Sequence, residues 1–228
     1  MGKKLDFDTV AEDYDFVTGL SSFSLDDYWR RFAVKRCMIG KGSEVLDVAC
    51  GTGKISFMLS KEVGRKGKVT CVDVSKEMVS VAKRGLKKEN GRKNIRFFVN
   101  SATKLPFNDN GFDAAIIGFG IRNINNPSKA ISEMSRVVKK GGRVVILELA
   151  KPRNMFIEGF HHLYTFYVIP FFGEVFAGNR EAYVYLAKTI DKFSHEESIL
   201  KPMRKAGLKD IAEYSLTFGV AKVYVGVK

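Results

Sequence analysis

The feature that most constrains the fold of this chain is a regular alternation of strand-like and helix-like segments between residues 43 and 150. Alternating units of this length predict a parallel sheet with helices packed on both of its faces. The segments 114–117 and 144–147 are continuously apolar, which is typical of strands that are covered on both sides. The predicted strands are 43–49, 68–73, 95–100, 112–118 and 142–150, and the predicted helices are 53–63, 75–90 and 127–139.

The segments on either side of this alternating core have different patterns. Residues 6–40 show an amphipathic helical pattern with a capping box, Ser24-x-x-Asp27. A second capping box, Ser194-x-x-Glu197, opens a predicted helix that continues to residue 206. Two segments with alternating apolar and polar residues follow and predict a pair of antiparallel strands. These segments are 211–217 and 220–227.

Composition and the length of apolar runs limit the cellular locations that the sequence predicts. The chain has 228 residues, of which 45% are hydrophobic, and no apolar run reaches the roughly 18 residues that a membrane span requires. The first residues lack the apolar stretch of a secretory signal. The three cysteines, at positions 37, 50 and 71, fit neither a disulfide framework nor a metal-ligand spacing. These observations predict a cytoplasmic protein without a bound metal.

The net charge of +13 is compatible with several kinds of anionic binding partner. Nucleic acid, an anionic membrane surface and an acidic ligand would each neutralise it. On charge alone, an ordinary lysine-rich solvated surface is the better interpretation, because the basic residues are spread along the chain.

The sharpest local signal is the glycine-rich segment 45–53, in which a strand ends, a turn follows and a helix begins. Gly51 and Gly53 carry no Cβ, so the backbone can turn tightly and a ligand can approach it closely. Asp73 ends the next strand 20 residues after Gly53, at the offset from which a carboxylate binds ribose hydroxyls. Asp73 alone could instead cap the helix near Ser75, but the combination predicts a nucleoside-binding site.

The residues of this loop favour S-adenosylmethionine over a dinucleotide. The third position of the dinucleotide pattern holds Ser56 in place of glycine or alanine. S-adenosylmethionine has no phosphate, and its ammonium group could be held by Asp47, which alternatively orients the loop backbone.

The motif Asp47-x-x-x-Gly51-Thr52-Gly53, with Asp73, resembles the class I S-adenosylmethionine-dependent methyltransferases. The segment Phe119-Gly120-Ile121-Arg122-Asn123 is similar to a motif of the menaquinone and ubiquinone C-methyltransferases within that class. Several other segments resemble the same family: Phe7-x-x-Val10-Ala11-x-x-Tyr14-Asp15, Trp29-Arg30-Arg31-Phe32, Glu148-x-x-Lys151-Pro152 and Leu216-Thr217-x-Gly219-Val220.

The resemblance implies a fold, a cofactor and a set of contacts. The fold is α/β and Rossmann-like, with a seven-stranded, mostly parallel sheet that ends in an antiparallel strand. An N-terminal helical lid and a helical insertion after the fifth strand complete it. The implied cofactor is S-adenosylmethionine. The candidate cofactor-binding residues are Asp47, Gly51, Thr52, Gly53, Asp73, Val74, Ser101, Ala102 and Gly118.

The resemblance also implies methylation of a ring carbon of a prenylated quinol, either demethylmenaquinol or a ubiquinol precursor. Arg122 would lower the pKa of the phenol and bind the phenolate, and Asn123 would orient the ring. Tyr14 is a candidate lid and acid–base contact. Alternatively, Arg122 pairs with Glu148 in a structural role, and Tyr14 only packs.

Aromatic residues are concentrated in the segment 153–190. The resemblance suggests a groove for the prenyl tail, whereas a buried aromatic cluster or a homo-oligomer interface would show the same pattern. A protein that reaches a prenyl quinol should also touch the anionic inner face of the membrane, where its positive charge would favour binding. The residues predicted to line the groove are Phe156, Phe160, Phe166, Phe171, Phe172 and Phe176.

Other functions stay open at this stage. The chain could methylate another small or lipid acceptor, or RNA, although the Asn/Asp-Pro-Pro-aromatic motif of base amino-group methylases is missing after the fourth strand. A scaffold that binds the cofactor without catalysis is a further alternative. We expect one methyltransferase domain over 1–228, made of a lid (1–42), a cofactor-binding core (43–150), an aromatic insertion (151–193) and closing elements (194–228).

Overall fold

The computed structural model describes most of the chain between residues 25 and 228. The described ranges are 25–88, 92–152, 154–171 and 197–228, together with Gly19, Ser22, Glu174, Val184 and Thr189. Tyr14, Ser24 and Ser194, which carry predictions from the sequence, lie outside these residues.

The described elements form one twisted sheet with helices on both faces. The strands are β1 (Glu44–Val48), β2 (Lys68–Asp73), β3 (Ile95–Val99), β4 (Phe112–Gly118), β5 (Val138–Leu149), β6 (Lys209–Leu216) and β7 (Ala221–Val227). The helices are α1 (Leu25–Arg36), α2 (Lys54–Val63), α3 (Lys76–Lys88), α4 (Pro127–Val137), α5 (Met155–Leu163) and α6 (Glu197–Lys205).

The strand order is β3-β2-β1-β4-β5-β7-β6. Strands β1 to β5 are parallel to one another, whereas β7 runs antiparallel to both β5 and β6. The prediction of a seven-stranded, mostly parallel sheet with an antiparallel end is therefore confirmed. The order reverses between β1 and β4, and such a switch point leaves a crevice at the carboxyl ends of the strands.

Local capping interactions explain where two of the helices begin. The Ser75 hydroxyl accepts a hydrogen bond from Met78 N at 3.0 Å and thereby caps α3. Asn126 caps α4 in the same way, because its Oδ1 accepts from Lys129 N at 3.0 Å, and Pro127 occupies the first helical position.

Three of the predicted boundaries are wrong. The predicted helix 127–139 ends at Val137, and β5 begins at Val138 rather than at residue 142. Val138 pairs with Phe112, and the register then shifts before Ala114 pairs with Arg143, so the irregular start of β5 did not resemble a strand. The helix predicted over 6–40 ends at Arg36. The chain leaves helical geometry just after it, where Met38 has a φ of 50°.

Two apolar layers cover the faces of the sheet. One layer joins Trp29 and Ala33 of α1 and Leu59 of α2 to the sheet. The other layer joins Met134 of α4 and Met203 of α6 to the opposite face. No helix among the described residues is long and apolar enough to cross a membrane.

Helix α1 is fastened to the closing strands by polar and aromatic contacts. Trp29 Nε1 donates a hydrogen bond to Thr217 Oγ1 at 2.8 Å, in the turn between β6 and β7. The Arg36 guanidinium contacts the rings of both Phe32 and Tyr214, at 4.5 and 4.2 Å from their centroids. These contacts fix the face of α1 that reaches the pocket described next.

Candidate cofactor and active site

A pocket opens at the carboxyl ends of β1, β2 and β4, at the switch point of the sheet. The space that it encloses, including the part open to solvent, is about 880 Å³. Its lining residues are Arg30, Asp47, Ala49, Cys50, Gly51, Thr52, Lys54, Ile55, Asp73, Val74, Met78, Gly118, Phe119, Gly120, Asn123 and Ile124.

The glycine-rich loop forms one wall of the pocket. Gly51 and Gly53 have φ values of 53° and 88°, in the left-handed region that favours glycine. A Cβ on Gly51 would meet nothing within 4 Å, so this position leaves room for a ligand. A Cβ on Gly53 would come within 3.2 Å of the Phe57 ring and 3.3 Å of Ala82. The absence of a Cβ therefore allows the start of α2 to lie close to α3.

Asp73 connects this loop to the next one. Its Oδ2 accepts a hydrogen bond from Gly51 N at 2.8 Å, and its Oδ1 accepts from Ser75 N at 2.9 Å. The capping role that the sequence offered as an alternative is therefore present. The same carboxylate also lines the pocket, where it is an acceptor of the kind that ribose hydroxyls require.

Asp47 is buried beneath the loop and has one oxygen in use. Its Oδ2 accepts a hydrogen bond from the Ser56 hydroxyl at 2.5 Å, and its Oδ1 has no hydrogen-bond partner among the described residues. Burial raises the pKa of Asp47 to about 7, against the opposing effect of the Ser56 hydrogen bond. Ser56, the residue that departs from the dinucleotide pattern, thus supports a carboxylate that can accept a cationic group.

The residues after β4 form the opposite wall. Phe119, with a φ of 58°, turns the chain so that Gly120 and Asn123 line the pocket. The Oδ1 atom of Asn123 is buried and has no hydrogen-bond partner among the described residues. It is an acceptor held ready for a donor such as a phenol hydroxyl.

Arg122 forms the ion pair with Glu148 that the sequence left open. Its Nη1 contacts Glu148 Oε1 and donates to Phe119 O at 2.9 Å, while its backbone N donates to Glu148 Oε2 at 3.2 Å. Arg122 does not line the pocket, although its Nε is buried without a hydrogen-bond partner among the described residues. The ion pair fixes the turn that carries Asn123, and the predicted contact with a phenolate stays a prediction.

The remaining predicted residues divide between the pocket and its surroundings. Thr52, Val74 and Gly118 line the pocket, whereas Ser101 and Ala102 do not. The Ser101 hydroxyl instead lies 2.9 Å from the Thr103 hydroxyl, in the loop after β3. The structure therefore brings most of the predicted cofactor residues together. The adenine contacts of Ser101 and Ala102 stay predictions.

The aromatic segment is described in part. Phe156 and Phe171 are exposed, Phe166 stacks on His162 with a centroid separation of 4.4 Å, and the side chains of the other three predicted groove residues lie outside the described residues. Burial lowers the pKa of His161, but this histidine does not line the pocket. The prenyl groove stays a prediction.

Sequence reasoning missed two basic residues of the pocket, Arg30 and Lys54. Arg30 stands in a segment that resembles the family, yet it received no role. Its helix precedes the core in sequence, and only the folded chain shows that this helix reaches the glycine-rich loop. Lys54 follows Gly53 directly, so its position at the start of α2 was the available signal.

The chain matches one protein family over almost its whole length. The family model described as the ubiE/COQ5 methyltransferase family matches residues 3–228. The chain is 37% identical over 222 residues to the Ubiquinone/menaquinone biosynthesis C-methyltransferase UbiE of Hahella chejuensis, covering 97% of this chain and 89% of the relative. The protein of the same name from Geotalea uraniireducens is also 37% identical, with 97% and 94% covered.

Solved structures share the fold at lower identity. A SAM-dependent methyltransferase from Aquifex aeolicus has a TM-score of 0.65 and 23% identity, covering 93% of this chain and 96% of its own. Phosphoethanolamine N-methyltransferase 2 of Haemonchus contortus, solved with S-adenosyl-L-methionine, has a TM-score of 0.65 and 17% identity, covering 87% and 52%.

We expect Asp47→Asn to stabilise the ligand-free protein more at pH 8 than at pH 5. The pKa of Asp47 is raised from 3.8 to about 7, so ionisation at high pH costs the folded state up to about 4 kcal/mol. That cost begins above the unfolded pKa, grows as the pH rises and is complete above about pH 7. Urea unfolding at both pH values measures it.

The exposed Asp210→Asn is the matched control and should show no such pH-dependent gain. An equal effect of Asp47→Asn at pH 5 and pH 8 would contradict the raised pKa.

Proposed function

Because the chain belongs to the ubiE/COQ5 methyltransferase family, we propose that it methylates a ring carbon of a prenylated quinol with S-adenosylmethionine as the methyl donor. The acceptor is demethylmenaquinol or a ubiquinol precursor. The proposal is supported by relatives whose names specify ubiquinone and menaquinone biosynthesis and that match almost the whole chain.

The observation that carries this function is a set of unmatched polar atoms at two positions of the site. Asp47 Oδ1 lies beneath the glycine-rich loop and Asn123 Oδ1 lies in the turn after β4, and both residues line the pocket. Buried polar atoms normally have partners, so such atoms in a ligand pocket indicate groups that a ligand completes. A cationic amine suits the first position, and a ring with hydroxyl groups suits the second.

We assign the cofactor contacts by position in the fold. S-adenosylmethionine supplies a methyl group on a sulfonium, which is electrophilic. Asp73 binds the ribose hydroxyls, Asp47 binds the ammonium, and Thr52 and the backbone at Gly51 and Gly53 enclose the chain between them. Four further residues complete the proposed set: Val74, Ser101, Ala102 and Gly118.

The turn after β4 positions the acceptor. A ring carbon next to a phenol becomes a good nucleophile when the phenol loses its proton, and positive charge nearby favours that loss. Arg122 stays protonated, so it can stabilise a phenolate but cannot act as a base. Asn123 Oδ1 accepts a hydrogen bond from a hydroxyl and fixes the ring orientation. Tyr14 is the proposed lid contact.

A labelled methyl-transfer assay tests this function directly. The protein is incubated with isotopically labelled S-adenosylmethionine and a panel of prenyl quinols, phospholipids and RNA, and the products are identified by mass. We expect label on a quinol ring carbon. Label on RNA or a phospholipid, with none on any quinol, would contradict the proposal.

We expect Asn123→Ala to lower kcat by about 10- to 100-fold, because one hydrogen bond that orients the reacting ring is lost. Calorimetry should show cofactor affinity within about twofold of the wild type, since the loop and Asp73 are unchanged. The exposed neighbour Asn125→Ala serves as the control. Unchanged turnover of Asn123→Ala would remove the role assigned to this side chain.

An exposed apolar stripe on α5 and on the helical residues 164–171 that follow it suits contact with a membrane surface. Residues Tyr164–Val168 of this continuation form a π-helix. The members of the stripe recur at spacings of seven and four residues, about two turns and one turn of helix, and all of them are exposed. Thr165 and Ile169, between them in sequence, are buried. The stripe consists of Phe156, Leu163, Tyr167 and Phe171, which are 85%, 55%, 65% and 59% exposed.

We propose that this stripe inserts into the headgroup region of an anionic bilayer, where the acceptor's prenyl tail resides. The net charge of +13 favours such a surface. This contact supports a peripheral location at the inner face of the membrane.

We expect Phe156→Asp/Leu163→Asp to lower binding to vesicles that contain anionic phosphatidylglycerol by at least about tenfold, because two apolar anchors are replaced by charges that the bilayer repels. Co-sedimentation measures the bound fraction. Met38→Asp is the control, since Met38 is also exposed and its φ of 50° suits aspartate. Equal binding of both variants would contradict the proposal.

A further inference from the structure

A buried arginine from α1 reaches the cofactor pocket, and no role assigned so far uses it. Arg30 lines the pocket with Asp47, Gly51 and Asp73, and its side chain is only 6% exposed. A buried guanidinium keeps its charge, so it must be matched by nearby acceptors. The contacts of Arg30 therefore indicate which kind of ligand group it can bind.

The contacts of Arg30 fix its position and leave donors free. Its Nη1 forms an ion pair with Asp26, one helical turn earlier, and its guanidinium lies 5.1 Å from the centroid of the Phe119 ring. Asp26 is itself held by the Ser22 hydroxyl, which donates to Oδ1 at 2.8 Å. In the described part of the chain, the ion pairs of Arg30 run through Nη1, which leaves Nη2 and Nε for a ligand.

Asp26 is a shared acceptor that holds this corner of α1 together. Lys54 Nζ lies 3.6 Å from the same Asp26 carboxylate, and Asp27 is shared between Arg30 and the exposed Arg31, at 3.8 and 3.9 Å. Burial works to raise the pKa of Asp26, but Arg30, Ser22 and Lys54 together hold it below its usual value. The Asp26 carboxylate therefore keeps Arg30 in place at the wall of the pocket.

Asp47 lies close enough to Arg30 to feel its charge, because Arg30 is among the groups that lower the pKa of Asp47. The unmatched Oδ1 of Asp47 and the Nη2 and Nε atoms of Arg30 are therefore neighbouring features of one pocket. A ligand that completes both must carry a cation and an anion a few bonds apart. The amino-acid end of S-adenosylmethionine has this arrangement, with an ammonium and a carboxylate on one carbon.

We propose that Arg30 binds the α-carboxylate of the cofactor while Asp47 binds its ammonium, so that α1 supplies part of the cofactor site. This inference rests on the cofactor of the proposed function. Arg30 thereby gives the site a preference for ligands that keep the carboxylate.

Calorimetry with two matched ligands tests the assignment. S-adenosylmethionine and its decarboxylated form differ only in the group that Arg30 is proposed to bind. We expect Arg30→Met to weaken binding of S-adenosylmethionine by about 10- to 100-fold. The affinity for the decarboxylated form, already low in the wild type, should stay within about twofold. Arg31→Met is the control, because the Arg31 side chain is 68% exposed.

The double variant Asp26→Asn/Arg30→Met guards against loss of folding, because it leaves no unpaired carboxylate behind, and it should show the same ligand-dependent loss. Equal losses for both ligands would overturn the carboxylate contact and make Arg30 a structural residue. A wild-type protein that binds neither ligand would instead overturn the cofactor of the proposed function.

Discussion

Two backbone N–H groups from different loops converge on the carboxylate of Asp73. One comes from Gly51 after β1 and the other from Ser75 after β2. These loops adjoin only because β1 and β2 pair in parallel register, so the sheet brings the carboxylate to both of them. The candidate site depends on this junction, since it sets the path of the glycine-rich loop over the pocket.

The two acids of the site differ because their surroundings differ. Asp73 accepts hydrogen bonds from two backbone donors, whereas Asp47 is deeply buried and uses one oxygen for Ser56. Burial holds the pKa of Asp47 near neutrality. Ionisation of the buried Asp47 carboxyl group is costly when no cation lies beside it, and a bound ammonium offsets that cost. The same folding pattern thus provides one acid that organises the loop and another that can bind a ligand.

Sequence patterns predicted the sheet and the loop well because they are local. Alternating segments, Gly51, Gly53 and the offset to Asp73 are all readable within a short stretch of chain, and the residues come together as expected. The sequence predicted the end of a helix where β5 begins. The register of β5 shifts near its start, so its first residues do not show a regular strand pattern. Arg30 received no role because its place in the pocket depends on packing between distant segments, which residue patterns do not encode.

The hydrogen bond between Trp29 and Thr217 joins residues 188 positions apart. During synthesis on the ribosome, α1 emerges long before the turn between β6 and β7 exists to receive it. The bond that fastens α1 to the closing strands can therefore form only after nearly the entire polypeptide has been made. This last fastening of the helix that carries Arg30 is a late event in synthesis, and a prematurely terminated chain would lack it.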